Sequence, residues 1–147
     1  MAKILSAEDG NLQGASLTTS RSRLYSDFDL SFAVNTSSGD IFKKKDAAAV
    51  KQAVKNLLQT NRMEKPFRPD FGADLRGMLF ELADDGTEQD LIEQVQGSIS
   101  RYEPRAKITD LDLNVSLDTN TLKVRIEFEV LNTDENVTLE TTVSRLR

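Results

Sequence analysis

From Leu111 to Val143 the apolar positions recur at every second residue. Leu111, Leu113, Val115 and Leu117 alternate with Asp110, Asp112, Asn114 and Ser116. After a turn at Asp118-Thr119-Asn120, Leu122, Val124, Ile126, Phe128 and Val130 alternate with Lys123, Arg125, Glu127 and Glu129. A loop near Asn132–Asn136 precedes Val137, Leu139, Thr141 and Val143. A period of two places alternate side chains on opposite faces of a strand. Three such runs with short links predict an antiparallel meander, apolar on one face and polar on the other. Ile108 and Leu146 fall out of phase, which predicts a bulge or a strand end at each.

Upstream the period is 3.6. Ala47, Val50, Val54, Leu57 and Leu58 share one helical face, with Lys51, Gln52 and Lys55 outside, Asp46 as N-cap and an end near Thr60-Asn61. Leu75, Met78, Leu79 and Leu82 form the stripe of a short helix. Leu91, Ile92, Val95, Ile99 and Tyr102 line a longer one, opened by a Thr87/Asp90 capping box and stopped before Pro104. These helices have the meander's apolar face to cover. The predicted fold is therefore α+β, a two-layer domain with about three helices packed on a three-stranded antiparallel meander. Phe28, Leu30, Phe32 and Val34 also alternate, as a half-buried strand or an extended arm laid on the domain, until turn residues at 35–39 break the pattern. Residues 1–24, rich in Ser, Thr, Gly and Asn, read as an extended or flexible N-terminal arm, and residues 25–147 as a single domain. The stretch KPFRPDFGADL cannot be regular structure, yet its Phe67 and Phe71 predict a loop packed down on the domain.

The helix-to-sheet junction carries Glu103-Pro104-Arg105. In extended backbone, residues two apart point the same way, so Glu103 and Arg105 emerge together. One reading is architectural: Arg105 satisfies carbonyls at the helix end, and Glu103 accepts from Arg68 or a backbone amide. The other is a charged knob for a partner subunit. A guanidinium serves either role equally well.

Composition narrows the chemistry. The 147 residues carry a net charge of −5 without a dense basic face, which argues against nucleic acid. Lys43-Lys44-Lys45 reads as a solvated loop. No apolar run reaches membrane-spanning length, no signal-peptide pattern opens the chain, and cysteine is absent, so folding in a cytoplasm is expected. Histidine is absent too, which removes the commonest general base. Glu81 and Glu103 are the nominal glycosidase pair, but with 24 acidic residues some such pair always exists. Asp84, Asp85, Glu88 and Asp90 lack the ligand spacing of a calcium loop. Gly72 and Gly77 make no phosphate loop. No catalytic, cofactor or metal site is expected, and the chain reads as a non-enzyme.

The segments LYSDFDLSF at 24–32, KPFRPDFGADLRGMLFE at 65–81 and RYEPR at 101–105 stand in a recognisable order and spacing. Together they resemble the small baseplate wedge protein of contractile-tailed phages, the T-even-type sheath initiator, whose relatives include a type VI secretion baseplate subunit. The resemblance runs from about Leu24 to the C-terminus and leaves residues 1–23 without a role. It implies a structural protein of the virion tail baseplate, assembled in the host cytoplasm in multiple copies around a sixfold axis. Its implied partners are other wedge subunits and the tail sheath protein, with no nucleic acid and no membrane. The implied docking or junction residues are Glu103, Pro104, Arg105, Arg68, Pro69, Phe71 and Gly72. The meander edge at 137–144, with Val137, Leu139, Thr141 and Val143, is expected to pair with a sheath arm; the alternative is an edge capped by the N-terminal arm or by residues 27–34. An interaction module of another contractile injection machine is the second reading, and a cell-wall glycosidase the remote one.

Overall fold

The computed structural model describes residues 25–78, 85–116, 121–131 and 133–144, with the side chains of 85–87 outside that set. Strand β1 (Ser26–Phe28) pairs antiparallel with β2 (Lys43–Lys45). Helix α1 (Ala47–Gln59), a short α2 (Leu75–Met78) and α3 (Asp85–Tyr102) follow. The meander is β3 (Ala106–Ser116), β4 (Thr121–Val130) and β5 (Glu135–Ser144), in the order β3-β4-β5. The expected α+β architecture of about three helices and an antiparallel three-stranded sheet is present.

Every apolar residue predicted on the inner face of β4 is buried: Leu122, Val124, Ile126, Phe128 and Val130. They meet Val50, Val54, Leu57 and Leu58 of α1 and Leu91, Val95 and Ile99 of α3 in one core. α1 packs against β5, α3 against β3, and the two helices against each other, so the helical layer covers one sheet face. The out-of-phase Ile108 has its cause in a register shift between Ile108 and Asp110. Thr109 is the extra residue there, and beyond it the inward-facing set changes from even to odd positions.

Four local expectations are corrected. The lysine run is not a loop, because β2 is a strand. Asp46 is the N-cap residue as expected, but its side chain makes no capping hydrogen bond, and its backbone has φ 48°. Instead the Asp46 N–H donates to the Tyr25 carbonyl at 2.9 Å, and its Oδ1 accepts from the Tyr25 N–H at 3.4 Å. α3 begins at Asp85, ahead of the expected Thr87 cap. The alternation from Phe28 to Val34 is not one half-buried strand. Asp29 Oδ1 accepts from Ser31 N–H, Asp29 O accepts from Phe32 N–H, and Phe32 adopts φ 52°, so the chain turns there. Phe28, Leu30, Phe32 and Val34 are all exposed. The tip at Asn35–Gly39 is the predicted turn, closed by Gly39 N–H to Asn35 O at 2.8 Å.

The N-terminal arm (1–24), Leu79, Glu81, Leu82, Asp84, Leu117, the turn at 118–120 and Leu146 lie outside the described residues.

Candidate docking surface

The Glu-Pro-Arg junction follows from the end of α3. Glu103 N–H still donates to Ile99 O at 2.8 Å, as in the helix. Pro104 has no N–H to continue the ladder. Ala106 N–H then donates to Glu103 O at 3.0 Å, which closes a turn into β3. Within it, Arg105 grips the Glu103 carboxylate with two N–H groups, Nε to Oε1 and Nη2 to Oε2 at 2.7 Å. Glu103 is only 6% exposed. A carboxylate so buried needs this bidentate partner, and the pairing holds the Arg105 guanidinium above its usual pKa. The guanidinium lies 5.0 Å over the Tyr25 ring, tying the hairpin's start to the junction. The architectural reading is thus altered in detail. Arg105 serves Glu103 rather than the helix carbonyls, and Arg68 is not Glu103's partner.

The Arg68–Gly72 loop docks on the same helix end. Phe71 sits 5.1 Å from the Tyr102 ring at 60°, and Lys65 Nζ lies 3.9 Å from the Phe71 ring centroid. Tyr102 Oη donates to Asp70, at 2.7 Å to the carbonyl and 2.9 Å to Oδ2, and Arg101 Nη2 reaches Oδ2 at 3.0 Å. The Tyr102 hydroxyl, its first cause, lowers the Asp70 pKa. Partial burial and that same bond raise Tyr102's. Gly72 adopts φ 120°, and a Cβ there would fall 2.5 Å from Thr60 O, so only glycine lets the loop approach the end of α1. Phe67 is a correction. It is not packed down but 103% exposed, at φ 64°, a left-handed backbone that turns its ring away from the domain. Arg68 and Pro69 are exposed as well.

Among the predicted residues, Glu103, Pro104, Arg105, Phe71 and Gly72 therefore gather at one place. A cleft of about 440 Å³ opens there, lined by Asp27, Leu57, Glu64, Phe71, Tyr102 and Glu103. Segments at 24–32, 65–81 and 101–105, distant in sequence, each contribute to its wall. Asp70 and Arg101 were missed by the sequence reading. Asp70's signal was its place between Pro69 and Phe71, in a loop held against the ends of both α1 and α3.

On the other side, β5 pairs with β4 alone among the described residues, and β1 pairs with β2 rather than with β5. Leu139, Thr141 and Val143 are buried on the core face and Val137 is half-buried, so their side chains point inward, while the strand's outer edge has no ladder partner among the described residues.

No helix among the described residues is long and apolar enough to cross a membrane, and no described carboxylates cluster as metal ligands do. The sequence profile described as baseplate wedge protein gp25 matches residues 44–135. The baseplate wedge protein gp25 of Enterobacteria phage T4 is 26% identical over 115 residues, spanning 78% of this chain and 86% of that protein. Two solved structures share the fold. One is a Geobacter sulfurreducens protein named for a proposed tail-lysozyme activity, with TM-score 0.59, 21% identity, 67% of this chain and 89% of that one. The other is a chain of the anti-feeding prophage baseplate, with TM-score 0.57, 19% identity, 80% of this chain and 83% of that one. With more than half its length matched by the profile, the chain belongs to the baseplate wedge protein gp25 family.

Proposed function

We propose that this chain is a non-catalytic structural subunit of a contractile-tail baseplate wedge, present in several copies in the virion tail. Its cleft at the Glu-Pro-Arg junction docks other wedge subunits, and the outer edge of β5 receives an arm of the tail sheath protein. The observation that carries the reading is the convergence of three separated segments on that one cleft, with Glu103 and Arg105 spent on building it. The pair is chiefly architectural, and docking falls to the exposed rim. The edge of β5 supports the second half: unpaired N–H and C=O groups on an edge strand accept another strand by β-augmentation.

The glycosidase reading has little support in this geometry. Glu103 is largely buried and both its oxygens are held by Arg105, which leaves it no free oxygen for acid–base work, and Glu81 lies outside the described residues. Turnover of peptidoglycan by the purified chain would overturn the non-catalytic reading.

The direct test is electron microscopy of baseplates assembled without this protein and with its variants. Omission is expected to leave baseplates on which sheath does not form. Asp27→Lys, an exposed change on the cleft rim, is expected to melt like the parent and fail to enter the baseplate. Proline at Thr138 or Thr142, each first shown to fold, is expected to enter the baseplate without starting sheath. Normal sheath on both proline variants would move the acceptor edge to β3.

A further inference from the structure

A second groove, of about 830 Å³, runs along α1 between the hairpin and β5. One wall is the outer face of α1 with Lys51 and Lys55; the other is the β5 edge at Thr138–Glu140, and Asp29, Leu30 and Lys44 close the hairpin end. Three cations therefore face a groove in a chain whose net charge is −5. Two of them are uncommitted. Lys44 Nζ lies 3.5 Å from Asp29 Oδ1, and Glu140 stands opposite Arg125 in the β4–β5 register. Lys51 and Lys55 have no ion-pair partner among the described residues.

We infer that this groove accepts an extended acidic segment of the partner that pairs with β5, its carboxylates seated on Lys51 and Lys55. The inference rests on β5 being the acceptor edge and adds the chemistry of what it accepts. The spacing is matched. Residues four apart on a helix are separated by about 6 Å along its axis. Residues two apart on one face of a strand are separated by about 6.8 Å. A segment with Asp or Glu at alternate positions thus meets both lysines while its main chain pairs with β5. The α1 wall extends from Ala48 to Gln59, about 16 Å at helical rise, which holds about five strand residues. The segment's opposite face meets Leu30, one of the exposed apolar residues of the hairpin.

The probe is the purified sheath protein of the same particle, titrated against the full chain at low and high salt. Hydrogen exchange of β5 amides is read in parallel. Lys51→Glu/Lys55→Glu is expected to weaken binding about tenfold at low salt and far less at high salt. Lys51→Arg/Lys55→Arg is expected to bind within about twofold of the parent, because it keeps both charges. All variants should melt alike, since both positions are exposed. Protection of β5 amides with undiminished binding by the Glu variant would overturn the acidic-segment inference and leave the edge reading standing. Absence of β5 protection would overturn both. A Lys51/Lys55-dependent dimer of the chain itself in sedimentation would assign the groove to a second copy and also overturn the inference.

Discussion

Two stretches of this chain carry the same alternation and meet opposite fates. Leu122, Val124, Ile126, Phe128 and Val130 lie at 0–1% exposure under the helices. Phe28, Leu30, Phe32 and Val34 lie at 48–63%, on a hairpin with no described layer above it. Alternation says which side chains share a face; burial needs a second surface to meet that face. β4 has two ladder partners, and its apolar face shares one core with α1 and α3. The hairpin is tied to the domain at its base by Tyr25 under the Arg105 guanidinium and farther out by Gln52, whose Nε2 donates to Phe28 O at 2.7 Å and whose Oε1 accepts from Leu30 N–H at 3.4 Å. Four large apolar side chains stand exposed on this one short hairpin, and such exposure is what an interaction surface would use.

The largest expected contrast comes from truncating one ring in each stretch. Phe128→Ala should lower unfolding free energy by about 3–5 kcal/mol, through lost burial and a residual cavity. Phe32→Ala should change it by no more than about 0.5 kcal/mol. Denaturant unfolding measures both. A loss beyond about 1 kcal/mol at Phe32 would mean that the hairpin is covered in solution and would erase the contrast.

Glycines give a second contrast. Gly72→Ala forces a Cβ against Thr60 O at φ 120° and should cost about 3 kcal/mol. Gly39, at φ 68°, has open space around it, so Gly39→Ala should cost only the left-handed backbone preference, about 1 kcal/mol. Equal melting of the two variants would show that the 60–72 loop is not held against α1.

These pairs also show what the sequence could tell. The meander, the bulge near Ile108, the span of α1 and the apolar stripe and end of α3 were legible, because long periodic runs bury themselves and periodicity is local information. The half-burial of Phe71 beside the full exposure of Phe67 was not. Both flank Arg68-Pro69-Asp70, and the left-handed backbone at Phe67 that separates them is set by the loop's own hydrogen bonds, such as Met63 N–H to Pro69 O at 2.7 Å. The site was half legible. Glu103 and Arg105 were visible as a pair, but the pairing of Asp70 with Tyr102 joins residues 32 apart through a fold that no spacing encodes.

A third contrast sets two arginines side by side. Arg105→Ala leaves the buried Glu103 carboxylate without its donors and should cost about 1–3 kcal/mol. Arg68→Ala removes an exposed side chain and should fall within about 0.5 kcal/mol. Thermal melts compare them. If Arg105→Ala melts like the parent yet fails to enter the baseplate, docking is primary at this junction and architecture secondary.

The smallest effect is a pH dependence confined to the Asp70–Tyr102 clamp. Asp70 is held below its ordinary 3.8, first by the Tyr102 hydroxyl. A depressed carboxyl stabilises the fold above its unfolded pKa, and that contribution is lost as pH falls through the folded value. Tyr102 is held above its ordinary 10.0 by partial burial and by the bond it gives Asp70. For a phenol this favours the neutral form in the fold, so its contribution is full below about pH 10 and is lost as pH rises through the folded value. Both groups are solvent-facing, and water screens them, so the clamp should bend the stability profile gently at its two ends and leave the middle flat. Tyr102→Phe keeps the ring against Phe71 and removes the hydroxyl. Melting temperature against pH for parent and variant should then differ by a constant offset between about pH 5 and 9, narrowing below pH 4 and above pH 10. The hairpin offers the control. Asp29 is also held below 3.8, first by the Ser31 backbone N–H, so Tyr102→Phe should leave its acid-side contribution intact in both chains. An offset that did not narrow at either end would assign Tyr102's stabilising effect to ring packing alone.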